Sequence, residues 1–231
     1  MINKSLVKQR FSKSLKTYND NAVIQIKMAQ KLIELLPRRE FSSVLEIGCS
    51  AGILTGQIAR NLKFQTFSAN DIVEEAKDYI DKIIPENTFI NGDIEQISIN
   101  GKYDLIIANA VLQWCENPEK TINKLYSKLN EKGVLAVSIF ANDNLKEIKT
   151  VLNLPELANT KLKGIEEEYK LFFDNPVDVL KHIKSTGANA LTEYKFTKTS
   201  LKAFEQKYTE LFSLNGKVSL TYRPLYIIKT N

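Results

Sequence analysis

Residues 44–55, VLEIGCSAGILT, indicate the fold class of this chain. Aliphatic residues lead into a turn of small residues, and a segment with helical spacing follows. A strand, a tight turn and a helix in this order form the first unit of many nucleotide-binding α/β proteins. The turn holds Gly48 and Gly52 with Ser50 between them, so it predicts a nucleotide site without identifying the nucleotide.

The composition is that of a globular protein. The 231 residues are 43% hydrophobic, which suffices for one domain with a full core and an elaborated lid. No apolar run is long enough for a transmembrane helix, and the basic N-terminus lacks the apolar stretch of a secretory signal. Cys49 and Cys115 belong to no CxxC motif or Cys/His cluster. We therefore expect a cytoplasmic protein without a membrane span and without a zinc site.

The charge of the chain favours an acidic partner. It has 32 Lys and Arg residues against 27 Asp and Glu residues, a formal net charge of +5 at pH 7. Positive charge steers acidic molecules toward a protein surface through long-range attraction. The basic residues are interleaved along the chain, and it contains no arginine-rich or aromatic–basic motif for nucleic acid. We therefore expect no nucleic-acid partner.

Strand-like and helix-like segments alternate from residue 43 to residue 140. This alternation is typical of βαβ units and a parallel sheet. The apolar runs DLIIANAV (104–111) and VLAVSIF (134–140) suit strands that are covered on both faces. The predicted strands are 43–48, 64–71, 88–93, 103–110 and 133–140, and the predicted helices are 52–62, 73–84 and 117–130.

The segments on either side of this core suggest further organisation. Residues 1–40 have the apolar stripe of two helices, and we expect them to form a lid over a main domain at 41–231. Within that domain 41–140 is the core, and 141–231 is expected to supply substrate-side helices and terminal strands. The patterns predict a helix at 144–154, a loop at 155–166, a strand at 168–173, a helix at 175–185 that ends at Gly187, a helix at 200–212, and a last strand at 218–230 with a bulge or edge at Pro224.

Polar and small residues follow four of the predicted core strands. In open α/β sheets, ligands bind outside the carboxyl ends of the strands. Each group alone is also explained as a turn or a helix cap, but together they fall at one edge of the sheet. The groups are Glu46 with the Gly48–Gly52 turn, Asp71 at 19 residues after Gly52, Gly92-Asp93-Ile94, and Asn109-Ala110 followed by Gln113-Trp114.

The positions of these groups suggest an adenosine pocket. Glycines in the first turn let the backbone approach a ligand closely. Asp71, after the second strand, is placed to accept hydrogen bonds from both ribose hydroxyls. Asp93 is placed to accept a hydrogen bond from the adenine amine, with Ile94 over the ring face.

These motifs resemble those of the class I S-adenosylmethionine-dependent methyltransferases. The resemblance rests on VLEIGCSAG, Asp71, GDI at 92–94 and YDLIIANAVLQW at 103–114, although the family usually has a glycine where this chain has Ser50. It implies an α/β, Rossmann-like fold whose seven-stranded sheet is mostly parallel with an antiparallel last strand and helices on both faces. It also implies S-adenosylmethionine as the cofactor, bound by Glu46, Gly48, Ser50, Gly52, Asp71, Ile72, Asp93, Ile94, Asn109 and Ala110.

Glu46 helps to decide whether the predicted site binds a methyl donor or a dinucleotide. A G-x-G-x-x-G turn seats a pyrophosphate at a helix N-terminus, and here no glycine lies two residues after Gly48. A carboxylate just before the turn would repel a diphosphate, whereas S-adenosylmethionine has no phosphate and carries an ammonium group. The turn therefore favours the methyl donor over NAD.

Over nearly the whole chain, the sequence is similar to the malonyl-[acyl-carrier protein] O-methyltransferases of biotin synthesis. The similarity implies methyl transfer to the free carboxylate of a malonyl thioester on acyl carrier protein, an acidic partner. A carboxylate is ionised at neutral pH, so this reaction needs no general base, and we expect no metal. The similarity rests on Phe11, on Tyr18-x-x-x-Ala22, and on segments 109–140, 180–189 and 216–230, of which QW at 113–114, KSTGAN at 184–189 and LTYRPLY at 220–226 discriminate best.

Three residues are predicted on the substrate side. Tyr18 lies in the segment expected to close over the donor, and Trp114 directly follows the fourth strand, where the reacting methyl group should lie. Arg223 could hold the malonyl carboxylate in a fork of two hydrogen bonds. The alternatives are a helix-packing tyrosine, a core tryptophan and a solvated arginine. We interpret His182, the only histidine, as structural and Cys49 as a small packing residue.

The N-terminal segment is also a candidate docking surface for the carrier protein. We expect it to act together with the lysines in 161–184, although a basic helix face is also explained by solvation alone. Its basic residues are Lys4, Lys8, Arg10, Lys13 and Lys16.

Three other functions are compatible with parts of the sequence. A methyltransferase for a quinone or another small acid would share the core motifs, but not the basic lid or LTYRPLY. A non-catalytic adenosine-binding module is supported only by Ser50 in place of the middle glycine. An NAD-dependent oxidoreductase would require the dinucleotide turn that this chain lacks.

Overall fold

The computed structural model describes residues 2–154, 162–186 and 196–231. Within them no helix is both long and apolar enough to cross a membrane. The helices are α1 (Lys4–Asn21), α2 (Val23–Glu34), α3 (Ile53–Asn61), α4 (Lys77–Ile83), α5 (Pro118–Tyr126), α6 (Lys146–Leu152), α7 (Pro176–Ser185) and α8 (Lys198–Phe212). The strands are β1 (Glu40–Ile47), β2 (Lys63–Asp71), β3 (Thr88–Asn91), β4 (Tyr103–Asn109), β5 (Leu129–Phe140), β6 (Ile165–Glu166), β7 (Tyr169–Phe173), β8 (Ser213–Leu214), β9 (Lys217–Tyr222) and β10 (Pro224–Thr230).

The main sheet has seven strands in the order β3-β2-β1-β4-β5-β10-β6. The five strands from β3 to β5 pair in parallel, and β10 pairs antiparallel with both β5 and β6. This arrangement confirms the predicted mostly parallel sheet with an antiparallel last strand. A second, antiparallel sheet has the order β7-β9-β8.

Helices cover both faces of the main sheet because successive strand residues point to opposite sides. In β4, Leu105 and Ile107 belong to one apolar cluster with the buried residues of α2, α3 and α4. The alternate residues Ile106 and Ala108 belong to a second cluster with those of α5. The predicted covering of both faces is thus confirmed, and the sheet is held from both sides by apolar packing.

The two N-terminal helices have different surroundings. Met28 and Leu32 of α2 are fully buried in the same cluster as the sheet. Helix α1 instead packs its Leu15 and Tyr18 against Ala51 and Val73, which follow β1 and β2. Only α1 therefore lies across the carboxyl ends of the strands, and the division into a lid at 1–40 and a domain at 41–231 stays a prediction.

The C-terminal strand prediction was wrong in its middle. Residues 217–230 form two strands in two different sheets, with Arg223 between them. Pro224 is the first residue of β10, a position that does not require a ladder N–H, and β10 lies between two strands rather than at an edge. The chain therefore changes sheets at Arg223-Pro224 without forming a bulge.

Smaller differences concern boundaries. Strand β5 begins at Leu129, four residues before the predicted start at 133, and the predicted helix at 117–130 ends at Tyr126. The predicted helix at 73–84 begins with a 3₁₀ turn at Glu74–Ala76. Of the predicted loop at 155–166, residues 155–161 lie outside the described residues, and residues 165–166 form β6. Residues 187–189, the second half of KSTGAN with Gly187, also lie outside the described residues.

A buried carboxylate joins α6 to the second sheet. Glu147 is 1% exposed and accepts hydrogen bonds from the backbone N–H of Thr221 (2.9 Å), from the Thr221 hydroxyl (2.6 Å) and from the Ser219 hydroxyl (3.4 Å). The backbone N–H of Leu145, just before α6, donates to the Thr221 carbonyl at 2.8 Å. These bonds fix α6 against β9.

We predict that Glu147→Ala lowers the free energy of unfolding by about 3 kcal/mol, because it leaves buried donors at Thr221 without an acceptor. Chemical denaturation measures this change. The control Glu131→Ala removes an exposed carboxylate and should change the free energy by less than about 0.5 kcal/mol. Equal stability of the two variants would contradict the anchoring role of Glu147.

Candidate functional site

A pocket at the carboxyl ends of the parallel strands, here called the loop pocket, brings most of the predicted cofactor-binding residues together. It contains about 660 Å³ of empty space including its open mouth. Of the ten predicted residues only Glu46 and Gly52 are outside its lining. The lining consists of Lys4, Val7, Phe11, Tyr18, Gly48, Ser50, Asn70, Asp71, Ile72, Gly92, Asp93, Ile94, Asn109, Ala110, Val111, Trp114 and Cys115.

The turn after β1 makes room for this pocket through its backbone. Gly48 has φ +67°, and a Cβ atom there would lie 2.3 Å from Val111 Cγ2. Ser50 also has a positive φ, +48°, which costs a residue with a Cβ about 1 kcal/mol or more. Its backbone N–H donates to Asp71 Oδ2 at 2.8 Å, and this bond helps hold the strained conformation. The middle position of the turn is thus one where glycine is favoured, and serine is held there by Asp71.

Asp71 is the buried carboxylate of the loop pocket. It is 7% exposed and accepts hydrogen bonds from the backbone N–H groups of Ser50 and Val73, both at 2.8 Å. Burial raises the pKa of Asp71 to about 6, although these hydrogen bonds oppose the shift. At neutral pH the group is therefore an ionised acceptor inside a largely apolar pocket.

The two predicted residues outside the lining support the pocket from behind. Glu46 is 1% exposed, and its Oε2 accepts a hydrogen bond from the Thr55 hydroxyl at 2.7 Å. Burial raises the pKa of Glu46 to about 8, and the charge of Asp71 adds to the rise. Gly52 has φ +81° and allows close packing, since a Cβ atom there would lie 2.4 Å from Ile83 Cδ1.

The far end of the loop pocket is bounded by an ion-pair cluster that sequence reasoning did not identify. Lys4 Nζ lies 3.3 Å from Asp93 Oδ2 and 2.6 Å from Glu95 Oε2. The Glu95 carboxylate also accepts hydrogen bonds from the backbone N–H groups of Glu116 and Asn117. Lys4, predicted as part of a docking surface, thus binds α1 to the edge of the pocket. No spacing in the sequence links residue 4 with residues 93 and 95.

The end of β4 contributes to the lining of the loop pocket through its backbone. The side chain of Asn109 is used internally: its Nδ2 donates to the Gln25 carbonyl at 3.0 Å and its Oδ1 accepts from the Ser138 hydroxyl at 2.6 Å. Ala110 follows with φ +55°. Strained backbone of this kind is concentrated at functional sites, and here Ala110 lies at the boundary of two pockets.

A second pocket, here called the side pocket, adjoins the loop pocket. The two share four lining residues: Phe11, Tyr18, Ala110 and Trp114. Sequence reasoning missed most of the other residues because they come from distant segments with no motif. These are Gln25, Gln113, Phe140, Ala141, Asn144, Leu145, Lys149, Thr186 and Tyr222.

Aromatic side chains form the junction of the two pockets. Phe11 packs edge-on against Trp114 with ring centroids 5.3 Å apart, and its centroid lies 6.3 Å from that of Tyr18. Burial, reinforced by the charge of Asp71, raises the pKa of Tyr18 far above neutral, so its hydroxyl remains a hydrogen-bond donor. On the same helix Asn19 Nδ2 donates to the Ala51 carbonyl at 3.0 Å and holds α1 over the turn. Tyr18 and Trp114 therefore both line the junction of the two pockets, and their substrate-side roles stay predictions.

Arg223 is not brought to this junction. Its guanidinium contacts Asp143 Oδ2 at 3.3 Å and Glu166 Oε2 at 2.8 Å, and it lines neither pocket. Arg223 lies between β9 and β10, and these two ion pairs hold its guanidinium outside the pocket that its neighbour Tyr222 lines. The sequence pattern does not reveal these partners, because Asp143 and Glu166 lie far from Arg223 in the chain.

The remaining predicted residues have clear environments. His182 Nε2 lies 2.9 Å from the hydroxyl of Tyr222, and burial lowers the pKa of His182, so the ring is neutral at neutral pH. Cys49 is 2% exposed, and burial raises the pKa of its thiol well above the ordinary value. A protonated, buried thiol is a packing residue rather than a nucleophile.

Solved structures share this fold, and one of the two described here is an N-methyltransferase. The YcgJ protein of Bacillus subtilis superposes with a TM-score of 0.62 at 12% identity, over 89% of this chain and 98% of that one. The N-methyltransferase NodS of Bradyrhizobium japonicum, solved with S-adenosyl-L-homocysteine, has a TM-score of 0.51 at 17% identity, over 95% of this chain and 97% of that one. At such identities the likeness concerns the fold alone.

The sequence relatives are more specific. The family described as "Methyltransferase domain" matches residues 23–193, and S-adenosylmethionine, the methyl donor, suits a pocket with a glycine turn and a buried carboxylate. The malonyl-[acyl-carrier protein] O-methyltransferase of Calditerrivibrio nitroreducens is 36% identical over 96% of this chain and 94% of its own length. The protein of the same name from Haemophilus influenzae is 34% identical over 98% and 94%. The chain therefore belongs to the malonyl-[acyl-carrier protein] O-methyltransferase family.

Proposed function

We propose that the protein transfers a methyl group from S-adenosylmethionine to the free carboxylate of malonyl-acyl carrier protein, which primes biotin synthesis. The observation that carries the proposal is the junction of the two pockets at Tyr18 and Trp114. One pocket suits the donor, and the other gives an acyl group access to it from α6 and β9. The names of the relatives supply the substrate class.

The loop pocket is proposed to hold the donor through its backbone turn and two carboxylates. The Asp71 carboxylate would accept hydrogen bonds from the ribose hydroxyls, and Asp93 one from the adenine amine. Ile72 and Ile94 would cover the adenosine, since both line the pocket. Glu46, which lies behind the turn, would support it without touching the ligand.

This assignment predicts a pH dependence of donor binding. Only ionised Asp71 is a full acceptor for two hydroxyls, and its pKa is about 6, so affinity is high above pH 6 and falls as Asp71 is protonated. The dissociation constant of S-adenosylhomocysteine, measured by calorimetry, should be about tenfold higher at pH 5 than at pH 7.

The matched control for this measurement is Glu46→Gln. Glu46 has a pKa of about 8 and stays protonated from pH 5 to pH 7, so its replacement should leave the profile unchanged. A flat profile for the unmodified protein would remove Asp71 from the donor site. A profile that disappears in Glu46→Gln would assign the dependence to the wrong carboxylate.

The acceptor step needs positioning more than acid–base chemistry. The bound donor supplies an electrophilic methyl group on a sulfonium sulfur. A carboxylate oxygen of the acceptor forms the new O–C bond as the S–C bond breaks, and the positive and negative charges neutralise each other. Because the reactants are ions and the products are neutral at these centres, the apolar junction of Phe11, Tyr18 and Trp114 favours the reaction by excluding water.

We predict methyl transfer to malonyl-acyl carrier protein, read by intact mass, with little transfer to free malonate or to a quinol. Acetyl-carrier protein, which lacks the free carboxylate, should not react. Tyr18→Phe should lower the rate about tenfold through the loss of one buried hydrogen-bond donor, with unchanged affinity for S-adenosylhomocysteine.

Two outcomes would contradict this function. Preference for free malonate or a quinol would identify a methyltransferase for another small molecule. Donor binding without turnover on any acceptor would identify a non-catalytic adenosine-binding module.

Helix α1 is proposed as part of the carrier docking surface. Lys8, Lys13 and Lys16 are exposed on it, and none forms an ion pair with a carboxylate in the described ranges 2–154, 162–186 and 196–231. Their positive charge would attract an acidic carrier protein.

We place the reaction in the cytoplasm, which is consistent with the free thiols of Cys49 and Cys115.

For this surface we predict that Lys8→Glu with Lys13→Glu raises the KM for malonyl-carrier protein at low salt by about tenfold, with kcat nearly unchanged. The charge-matched control is Lys102→Glu with Lys128→Glu. These two lysines directly precede β4 and β5, so they lie at the amino ends of the strands, whereas α1 lies across the carboxyl ends. Equal KM values for the two double variants would exclude docking on α1.

A further inference from the structure

Gln25 is a buried polar residue that lines the side pocket. It belongs to α2 and is only 6% exposed. Its side-chain amide forms no hydrogen bond with any residue of the described ranges 2–154, 162–186 and 196–231. A buried amide without a partner costs free energy, so its presence in a pocket indicates a group that a ligand satisfies. We infer that the Gln25 amide binds the terminal carboxylate of the acyl substrate.

The other amide side chains that line the two pockets already bind the protein itself. Asn70, Asn109 and Gln113 each donate a hydrogen bond to a backbone carbonyl, at 2.7 to 3.0 Å. Asn144 Oδ1 accepts a hydrogen bond from a backbone N–H at 3.1 Å. Within the described lining of both pockets, Gln25 is therefore the amide whose donor and acceptor are both left for a ligand.

The backbone of α2 places Gln25 at the border of the loop pocket. The Gln25 carbonyl accepts a hydrogen bond at 3.0 Å from Asn109 Nδ2, and Asn109, the last residue of β4, lines the loop pocket. The next residue, Ala110, lines both pockets. Ile24 and Met28 of α2 are buried in the same apolar cluster as the sheet, so the helix is fixed there. A carboxylate bound at Gln25 would therefore lie close to the junction.

A neutral amide suits a carboxylate that has to act as a nucleophile. The amide N–H can donate to one carboxylate oxygen while the other oxygen forms the O–C bond and the S–C bond of the donor breaks. The bonded oxygen becomes the carbonyl oxygen of the ester, which still accepts a hydrogen bond, so the contact persists through the reaction. Since the amide carries no charge, it orients the anion without stabilising the reactant as strongly as an ion pair would.

This inference rests on the proposed function, and its test is a binding measurement without turnover. Protein loaded with S-adenosylhomocysteine is titrated with malonyl-carrier protein and with acetyl-carrier protein, which differ in the terminal carboxylate. The unmodified protein should bind the malonyl form about tenfold more tightly, the value of one hydrogen bond to a charged group. Gln25→Met and Gln25→Leu remove the amide but keep a side chain of similar size. In both variants, affinity for the malonyl form should fall about tenfold and affinity for the acetyl form less than about twofold.

The matched control is Gln30→Met, the same replacement at an exposed position of α2 that does not line the pocket. It should leave both affinities unchanged, and unchanged affinity for S-adenosylhomocysteine shows that each variant is folded. If the Gln25 variants lost affinity equally for both carrier forms, or for neither, the role of Gln25 would be overturned. The same holds if the unmodified protein showed no preference for the malonyl form. Methyl transfer by the unmodified protein, measured separately, then shows whether the proposed function still stands.

Discussion

The hydrogen bonds that Asp71 accepts from the backbone N–H groups of Ser50 and Val73 join the end of β2 to the turn after β1. They hold Ser50 in a left-handed conformation that a residue with a Cβ avoids, and that conformation shapes the loop pocket. The same carboxylate stays buried with a raised pKa, so the fold keeps an unneutralised acceptor available for a ligand. In the proposed donor site, one group thus both holds the turn and accepts hydrogen bonds from the ligand.

The N-terminal helix completes the site that this turn begins. Helix α1 is fixed over the strand ends by Lys4 at the far end of the loop pocket and by Asn19 at the turn. Between these points, Phe11 and Tyr18 separate the two pockets and still line both. A helix held at both ends, with aromatic side chains on its inner face between them, is suited to exclude water from a reaction between ions.

The strand ends of the parallel core were predictable from sequence because each is a local pattern: an apolar run followed by a polar or small residue. Asp71, Asp93 and Asn109 were found in this way, and sheet geometry alone then brings them together. Glu46 and Gly52 belong to the same motif, yet they act behind the turn, since a motif does not reveal which side of the backbone faces the ligand.

The substrate side was less predictable because it is assembled from segments far apart in the chain. The short helix α6 has no sequence motif, and Glu147 joins it to β9, whose Tyr222 lines the side pocket. Arg223 was predicted from its place beside Tyr222. Its guanidinium instead pairs with Asp143 and Glu166, two residues far from it in the chain.

The central claim is that the acyl carboxylate and the donor meet where the loop pocket and the side pocket join. A crystal structure with S-adenosylhomocysteine and malonyl-carrier protein tests this most directly. The account predicts the ribose on Asp71, the sulfur beside Tyr18 and Trp114, and the malonyl carboxylate reaching that sulfur through the side pocket. An acyl chain that reached the sulfur by another route, with the side pocket filled only by water, would contradict it.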